Sequence, residues 1–159
     1  MLTTTTPQHA AMQQFEVQND CLQIGGLPLP RLAQRVGCTP FYAYERRHIA
    51  ERIALLRAAL PAQVQLHYAM KANPMAALVQ MMAGLVDGID VASGGELACA
   101  LDTTLDPRRI SFAGPGKSQF ELGCAVAAGV LINLESEAEM ERVAIIGDQL
   151  GLTPRVAVR

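Results

Sequence analysis

The sequence predicts an α/β fold in which strand–helix units build a parallel sheet, and three observations carry that prediction. Strand-like and helix-like stretches alternate strictly from Phe41 to the last residue. Strand starts recur every 21 to 25 residues from Val64 onward. Three helix starts share one signature: Ser93, Ser118 and Ser136 are each followed three residues later by Glu96, Glu121 and Glu139. That spacing predicts a capping box, in which a hydroxyl and a carboxylate satisfy amides the helix leaves unpaired. The units share this pattern and not their residues, so they form no sequence repeat.

Taken in order, residues 1–14 hold four consecutive threonines and little that could pack, and read as a mobile tail. Phe15–Leu29 offers two short extended pieces, F-E-V and C-L-Q-I, broken by Gly25-Gly26 and Pro28, which fits a small β element. Pro30 is suited to the first turn of a short helix ending near Gly37. Strands are then expected at Phe41–Tyr44, Val64–Met70, Gly88–Val91, Arg109–Phe112, Val130–Asn133 and Arg155–Val158. Helices are expected at Glu45–Leu60, Met75–Ala83, Gly94–Leu101, Gln119–Ala128 and Glu137–Leu150. In the first of these, Ile49, Ile53, Leu56 and Leu60 fall on one face.

Composition excludes several functions. The 159 residues are 50% hydrophobic, enough for a real core and against disorder of the whole chain. With 13 basic and 15 acidic residues and no basic run, nucleic acid is not an expected partner. Cys21, Cys38, Cys99 and Cys124 show no metal-ligand or disulfide spacing, so no metal is expected and the thiols are read as reduced and mostly buried. The start lacks an export signal. The longest uncharged apolar stretch, Leu122–Leu134, is 13 residues and too short for a membrane helix. A soluble cytoplasmic chain is the expectation.

Alternation alone fits either a doubly wound open sheet or a (β/α)8 barrel. The open sheet calls for a G-x-G-x-x-G after an early strand, and none occurs. The barrel, a (β/α)8 closure, calls for about 250 residues, and only five units are visible before the chain stops inside a strand pattern, R-V-A-V-R, so each alternative meets a difficulty.

The most informative segment is Gln65–Asn73, Q-L-H-Y-A-M-K-A-N. Alternation places His67, Ala69 and Lys71 on one face and Leu66, Tyr68 and Met70 on the other. Lys71 then stands at the C-terminal end of a strand, where βα barrels carry their sites. Ala69 leaves room for something planar beside it. An amine there is placed to attack a carbonyl; equally, a strand-end lysine can simply reach solvent. Asp90, one residue before an apolar strand end, reads from the residues alone as a helix or turn cap. F-A-G-P-G-K-S lacks the glycine of a phosphate loop, having Ser111 in its place, and reads as a sharp turn capped by Ser118. His9, His48 and His67 show no acidic or cysteine partner at catalytic spacing and are read as structural.

Y-A-M-K-A-N resembles the cofactor-lysine motif of the fold-type III pyridoxal-phosphate decarboxylases, the ornithine/diaminopimelate/arginine decarboxylase family. T-P-F-Y-A-Y before it, then G-I-D-V-A-S-G-G-E-L, I-S-F-A-G-P-G-K-S and R-V-A-V-R after it, extend the likeness from Thr39 to Arg159. The finer likeness is to the bacterial branch associated with exosortase and exopolysaccharide gene clusters. The resemblance implies that Lys71 holds pyridoxal phosphate as a Schiff base, with Asp90 and Arg159 near the cofactor. Glu96 also matches the family pattern, though its capping position explains it.

The resemblance further implies an amino-acid substrate, a homodimer, and three regions. These are a tail at 1–14, a segment of a β domain at 15–40, and an incomplete barrel at 41–159. The alternatives are a non-decarboxylating pyridoxal-phosphate barrel protein of cofactor homeostasis, or an inactive truncated barrel. Alone, the fragment is expected to be inactive, and poorly soluble or dimeric through its open sheet edge.

Overall fold

A computed structural model describes residues 14–159, so nearly all of the expected tail lies outside the described residues. The chain divides into two compact units, with the boundary between Ala59 and Leu60.

The first unit begins with an antiparallel sheet of β1 (Val17–Gln18), β2 (Cys21–Ile24) and β3 (Leu27–Pro28), in that order. Both hairpins turn on two residues with positive φ, Asn19-Asp20 and Gly25-Gly26. Such pairs match the twist of the flanking strands. Helix α1 (Leu29–Val36) has Pro30 in its first turn and ends at left-handed Gly37, whose amide donates to Ala33 O. Helix α2 (Arg46–Ala59) follows and buries Ile53. Glu45, just before it, accepts the Gly25 amide at 2.9 Å. That bond, then Arg47 and His48, holds its carboxyl below the usual value against some desolvation.

The expected strand Phe41–Tyr44 is absent. Its aromatic alternation suits a strand, but among the described residues no strand pairs with it, and Tyr42 is 93% exposed.

The second unit holds β4 (His67–Ala69), a 3-10 turn at Met70–Ala72, α3 (Ala76–Ala83), β5 (Gly88–Val91) and α4 (Gly94–Leu101). After a 3-10 turn at Pro107–Arg109 come β6 (Ile110–Phe112), α5 (Gln119–Ala128), β7 (Leu131–Leu134), α6 (Glu137–Leu150) and β8 (Arg155–Val158). The strands are all parallel and lie in chain order, β4-β5-β6-β7-β8. A doubly wound sheet must reverse its strand order at a switch point, and this one never does. It is the N-terminal part of a (β/α)8 barrel.

Period-two alternation separates the faces of the sheet. Ile89, Val91, Ile110, Phe112, Ile132 and Leu134 are buried, and Val79, Leu97, Leu122 and Val143 from the helices are buried with them.

Two strand limits differ from expectation for identifiable reasons. Val130 does not open β7, because its amide turns back to Ala125 O and closes α5 around left-handed Gly129. The strand expected at Val64–Met70 pairs over only three residues. The Leu66 amide is taken by Asp87 Oδ2 at 2.7 Å, and Met70 starts the 3-10 turn.

The capping pattern is also modified. Ser118 and Glu121 form a complete box. Ser93 and Ser136 accept the Glu96 and Glu139 amides, but those carboxylates reach one residue further back, to the amides of Ala92 and Glu135. The cysteines are free as expected, but not buried: Cys38 is exposed and Cys21, Cys99 and Cys124 are half-buried. Among the described residues no helix is long and apolar enough to cross a membrane.

Candidate functional site

The C-terminal ends of the parallel strands surround a cleft of about 350 Å³. Its walls are Ala69, Lys71, Asp90, Val91, Ala92, Ser111, Ala113, Asn133 and Arg159. All three residues singled out in the sequence, Lys71, Asp90 and Arg159, therefore meet in one place. Lys71 sits in the 3-10 turn, two residues past the end of β4, and not in the strand itself; it is exposed. Ala69, Ala92 and Ala113 keep the walls short and flat.

Asp90 caps no turn. Its Oδ1 accepts Ser111 Oγ–H at 2.6 Å and lies 2.9 Å from His67 Nδ1. The ladder explains this row, since Ala69, Asp90 and Ser111 are register partners across three strands. His67 thus has an acidic partner after all. Sequence spacing hides it because the two residues stand 23 apart on adjacent strands. His48 also sits among carboxylates, those of Glu45 and Glu51, with its ring edge-on to Phe15 at 5.0 Å.

Arg159 is held on two sides. Its amide donates to Leu134 O, and its guanidinium donates to Glu135 Oε1 at 3.1 Å. Glu135 Oε1 also accepts the Gly114 amide at 2.9 Å. The Gly114 amide first, then Arg159, hold the Glu135 carboxyl below its ordinary value, against desolvation. Glu96, matched by the resemblance, stays with the α4 terminus, as its capping position predicts.

Lys117 went unassigned in the sequence. Its side chain and that of Glu139 are each 1% exposed. Its Nζ donates to Gly114 O at 2.6 Å and Asn133 O at 2.8 Å, and lies within 3.1 Å of both Glu139 oxygens. One buried amine therefore ties the β6–α5 turn, the end of β7 and the start of α6 together. Ser111, Asn133 and Glu135 were also missed. For Ser111 and Asn133 a signal existed: each is the polar residue in a short apolar strand, I-S-F and L-I-N-L. For the Lys117–Glu139 pair no spacing rule exists. Among the described residues no cluster of histidine, cysteine and carboxylates could hold a metal.

The comparisons converge on one family. A profile described as pyridoxal-dependent decarboxylase, pyridoxal binding domain, matches residues 46–159. The diaminopimelate decarboxylase of Aquifex aeolicus is 39% identical over 146 residues, covering 91% of this chain and 34% of that protein. The crystal structure of an Aquifex aeolicus protein superposes with a TM-score of 0.84 at 39% identity, covering 91% of this chain and 36% of that one. The Helicobacter pylori diaminopimelate decarboxylase complexed with L-lysine gives a TM-score of 0.72 at 32% identity, over 82% of this chain and 34% of that one. The chain thus spans about a third of the length of these relatives.

Proposed function

The chain belongs to the pyridoxal-dependent decarboxylases, and from that premise we propose that Lys71 anchors the cofactor in an enzyme that decarboxylates an amino acid. The cofactor of the family is pyridoxal phosphate. The observation that carries the role of Lys71 is a choice between two. The sequence contains only two lysines. Lys117 is buried with its protons spent on four oxygen contacts, whereas Lys71 is exposed in the cleft wall. Lys71 is the side-chain amine free to bond an aldehyde carbon.

The cleft fits the group. Three alanines leave flat walls for a planar ring, and the volume is at the lower end of what small-molecule sites use. When bound, pyridoxal phosphate supplies an electron sink for the pair left as a Cα–carboxylate bond breaks. Lys71 Nζ would hold the cofactor through its aldehyde carbon, and as an amine beside the cleft it would be placed to carry a proton there. Arg159, steadied by Glu135, keeps further N–H donors for a phosphate or carboxylate. Asp90 faces the same space with a fixed carboxylate.

The relatives' names make a diamino acid the first substrate class to try, diaminopimelate before others. A homodimer acting in the cytoplasm completes the reading. Placement near the exosortase-associated branch rests on the sequence blocks from Thr39 to Arg159 alone. The decarboxylase reading is preferred to a non-decarboxylating barrel because the relatives are decarboxylases over 91% of the chain.

The test is chemical. The chain is incubated with pyridoxal phosphate, reduced with borohydride, digested and mapped. Label on the Lys71 peptide, abolished in Lys71→Ala, is the expected result. Label on Lys117, or none, overturns the assignment. Release of CO2 from diaminopimelate by the longest protein carrying this chain tests the activity separately.

A further inference from the structure

Asp90 is held asymmetrically. Both of its hydrogen bonds, from Ser111 Oγ and with His67 Nδ1, fall on Oδ1. Among the described residues Oδ2 has no hydrogen-bond partner, although Asp90 lines the cleft beside Lys71. A carboxylate can only accept, so His67 Nδ1 must carry the hydrogen between them.

The imidazole itself is seated by a second feature. A Cβ built on Gly88 would stand 2.6 Å from His67 Nε2 and 2.6 Å from the Arg109 carbonyl oxygen. Glycine at position 88 is therefore what lets the ring lie across β5 and reach Asp90, two residues further along the same strand. His67, Gly88, Asp90 and Ser111 form one unit spread over three adjacent strands.

From this geometry we propose that His67 is a positioning residue for the cleft. Seated on Gly88, it clamps Asp90 Oδ1 together with Ser111. Oδ2 is thereby fixed as a free acceptor for an N–H presented beside Lys71. The inference deepens the cofactor reading and rests on it for the purpose of the clamp, but not for its existence. A carboxylate free to rotate would point Oδ2 correctly only part of the time, and small losses of alignment at a reacting centre reduce its efficiency by factors of ten or more.

Two measurements on the full chain separate the clamp from the cofactor reading. In the first, nitrogen NMR of the His67 imidazole without cofactor reads which ring nitrogen is protonated. Nδ1–H is expected in the wild type, and its loss is expected in Asp90→Asn. In the second, borohydride-trapped pyridoxal phosphate on Lys71 is compared among variants at limiting cofactor. His67→Ala is expected to lower trapping about tenfold. His67→Asn, whose amide nitrogen can stand near the Nδ1 position, is expected to recover most of it.

Two results overturn the proposal. One is a wild-type imidazole that shows no Nδ1–H preference. The other is a His67→Ala chain that traps cofactor as well as wild type. If wild-type Lys71 takes no label at all, the cofactor reading falls and the NMR result alone decides the clamp.

Discussion

Lys117 and Glu139 set the largest single-residue stake in the barrel segment. Neither charge has access to water, and each is compensated by the other and by backbone groups: Gly114 O and Asn133 O for the lysine, which also stands 5.7 Å from the centre of the Phe112 ring, and the Glu135 amide for the carboxylate. Removing one partner leaves a buried charge unpaired, which costs about 3–5 kcal/mol. Lys117→Met should lower stability by that amount in urea unfolding, with Glu139→Leu doing the same. The double variant should lose less than the sum, because neither charge is then stranded.

Gly88 is the second stake. Alanine there meets the Arg109 carbonyl and the His67 ring, and should cost about 1–3 kcal/mol as overpacking. A Gly88→Ala variant as stable as wild type would contradict the packing described. At this scale the sequence was legible only where chemistry is local. The place of Lys71 at the cleft could be read from its own segment, Gln65–Asn73, whereas the Lys117–Glu139 and His67–Asp90 pairs join residues more than twenty apart.

Helices were more legible than strands, and the reason is where their ends are decided. Helices α4, α5 and α6 begin one residue after a serine that accepts the third helical amide, a signal written within four residues of sequence. Strand limits depend on a neighbour and on what claims each amide. That is why Leu66 leaves the ladder for Asp87 and why Phe41–Tyr44 forms no strand.

The complete box at Ser118 has a measurable pH signature. Glu121 accepts the Ser118 amide and hydroxyl and also the Gly94 amide of the preceding unit, and these bonds lower its pKa. A carboxylate with a lowered folded-state pKa adds stability above its unfolded value of about 4.3, and that stability is lost as pH falls through the folded value. Glu121→Gln should therefore melt below wild type at neutral pH, with the gap closing once both are acidified. Ser118→Ala should lose about 1 kcal/mol at neutral pH. A gap in melting temperature for Glu121→Gln that persists unchanged in acid would exclude the electrostatic origin.

Across the whole barrel segment, the alternation and its spacing were enough to expect five parallel units, and strand order then decided between open sheet and barrel. What spacing could not show is how unevenly the sheet is covered. Strands β5 to β7 bury their apolar residues except Leu131, which is half-buried. On β8, Val156 is 45% and Val158 is 87% exposed. Parallel sheets are stable when both faces are covered, and an edge strand with bare valines is a template for pairing with another chain.

The 159-residue chain on its own should therefore self-associate as its concentration rises, measured by light scattering after size exclusion. Val158→Lys places a charge on that edge and should shift the distribution toward monomer without lowering the melting temperature, since residue 158 buries little. Arg159 and its link to Glu135 lie next in sequence, so pyridoxal-phosphate trapping on Lys71 serves as the control that the cleft is intact. A wild-type chain that stays monomeric at every concentration would show that the exposed face of β8 is not adhesive. Association unchanged by Val158→Lys would move the contact elsewhere, with the exposed Phe120 and Met140 as the next surface to alter.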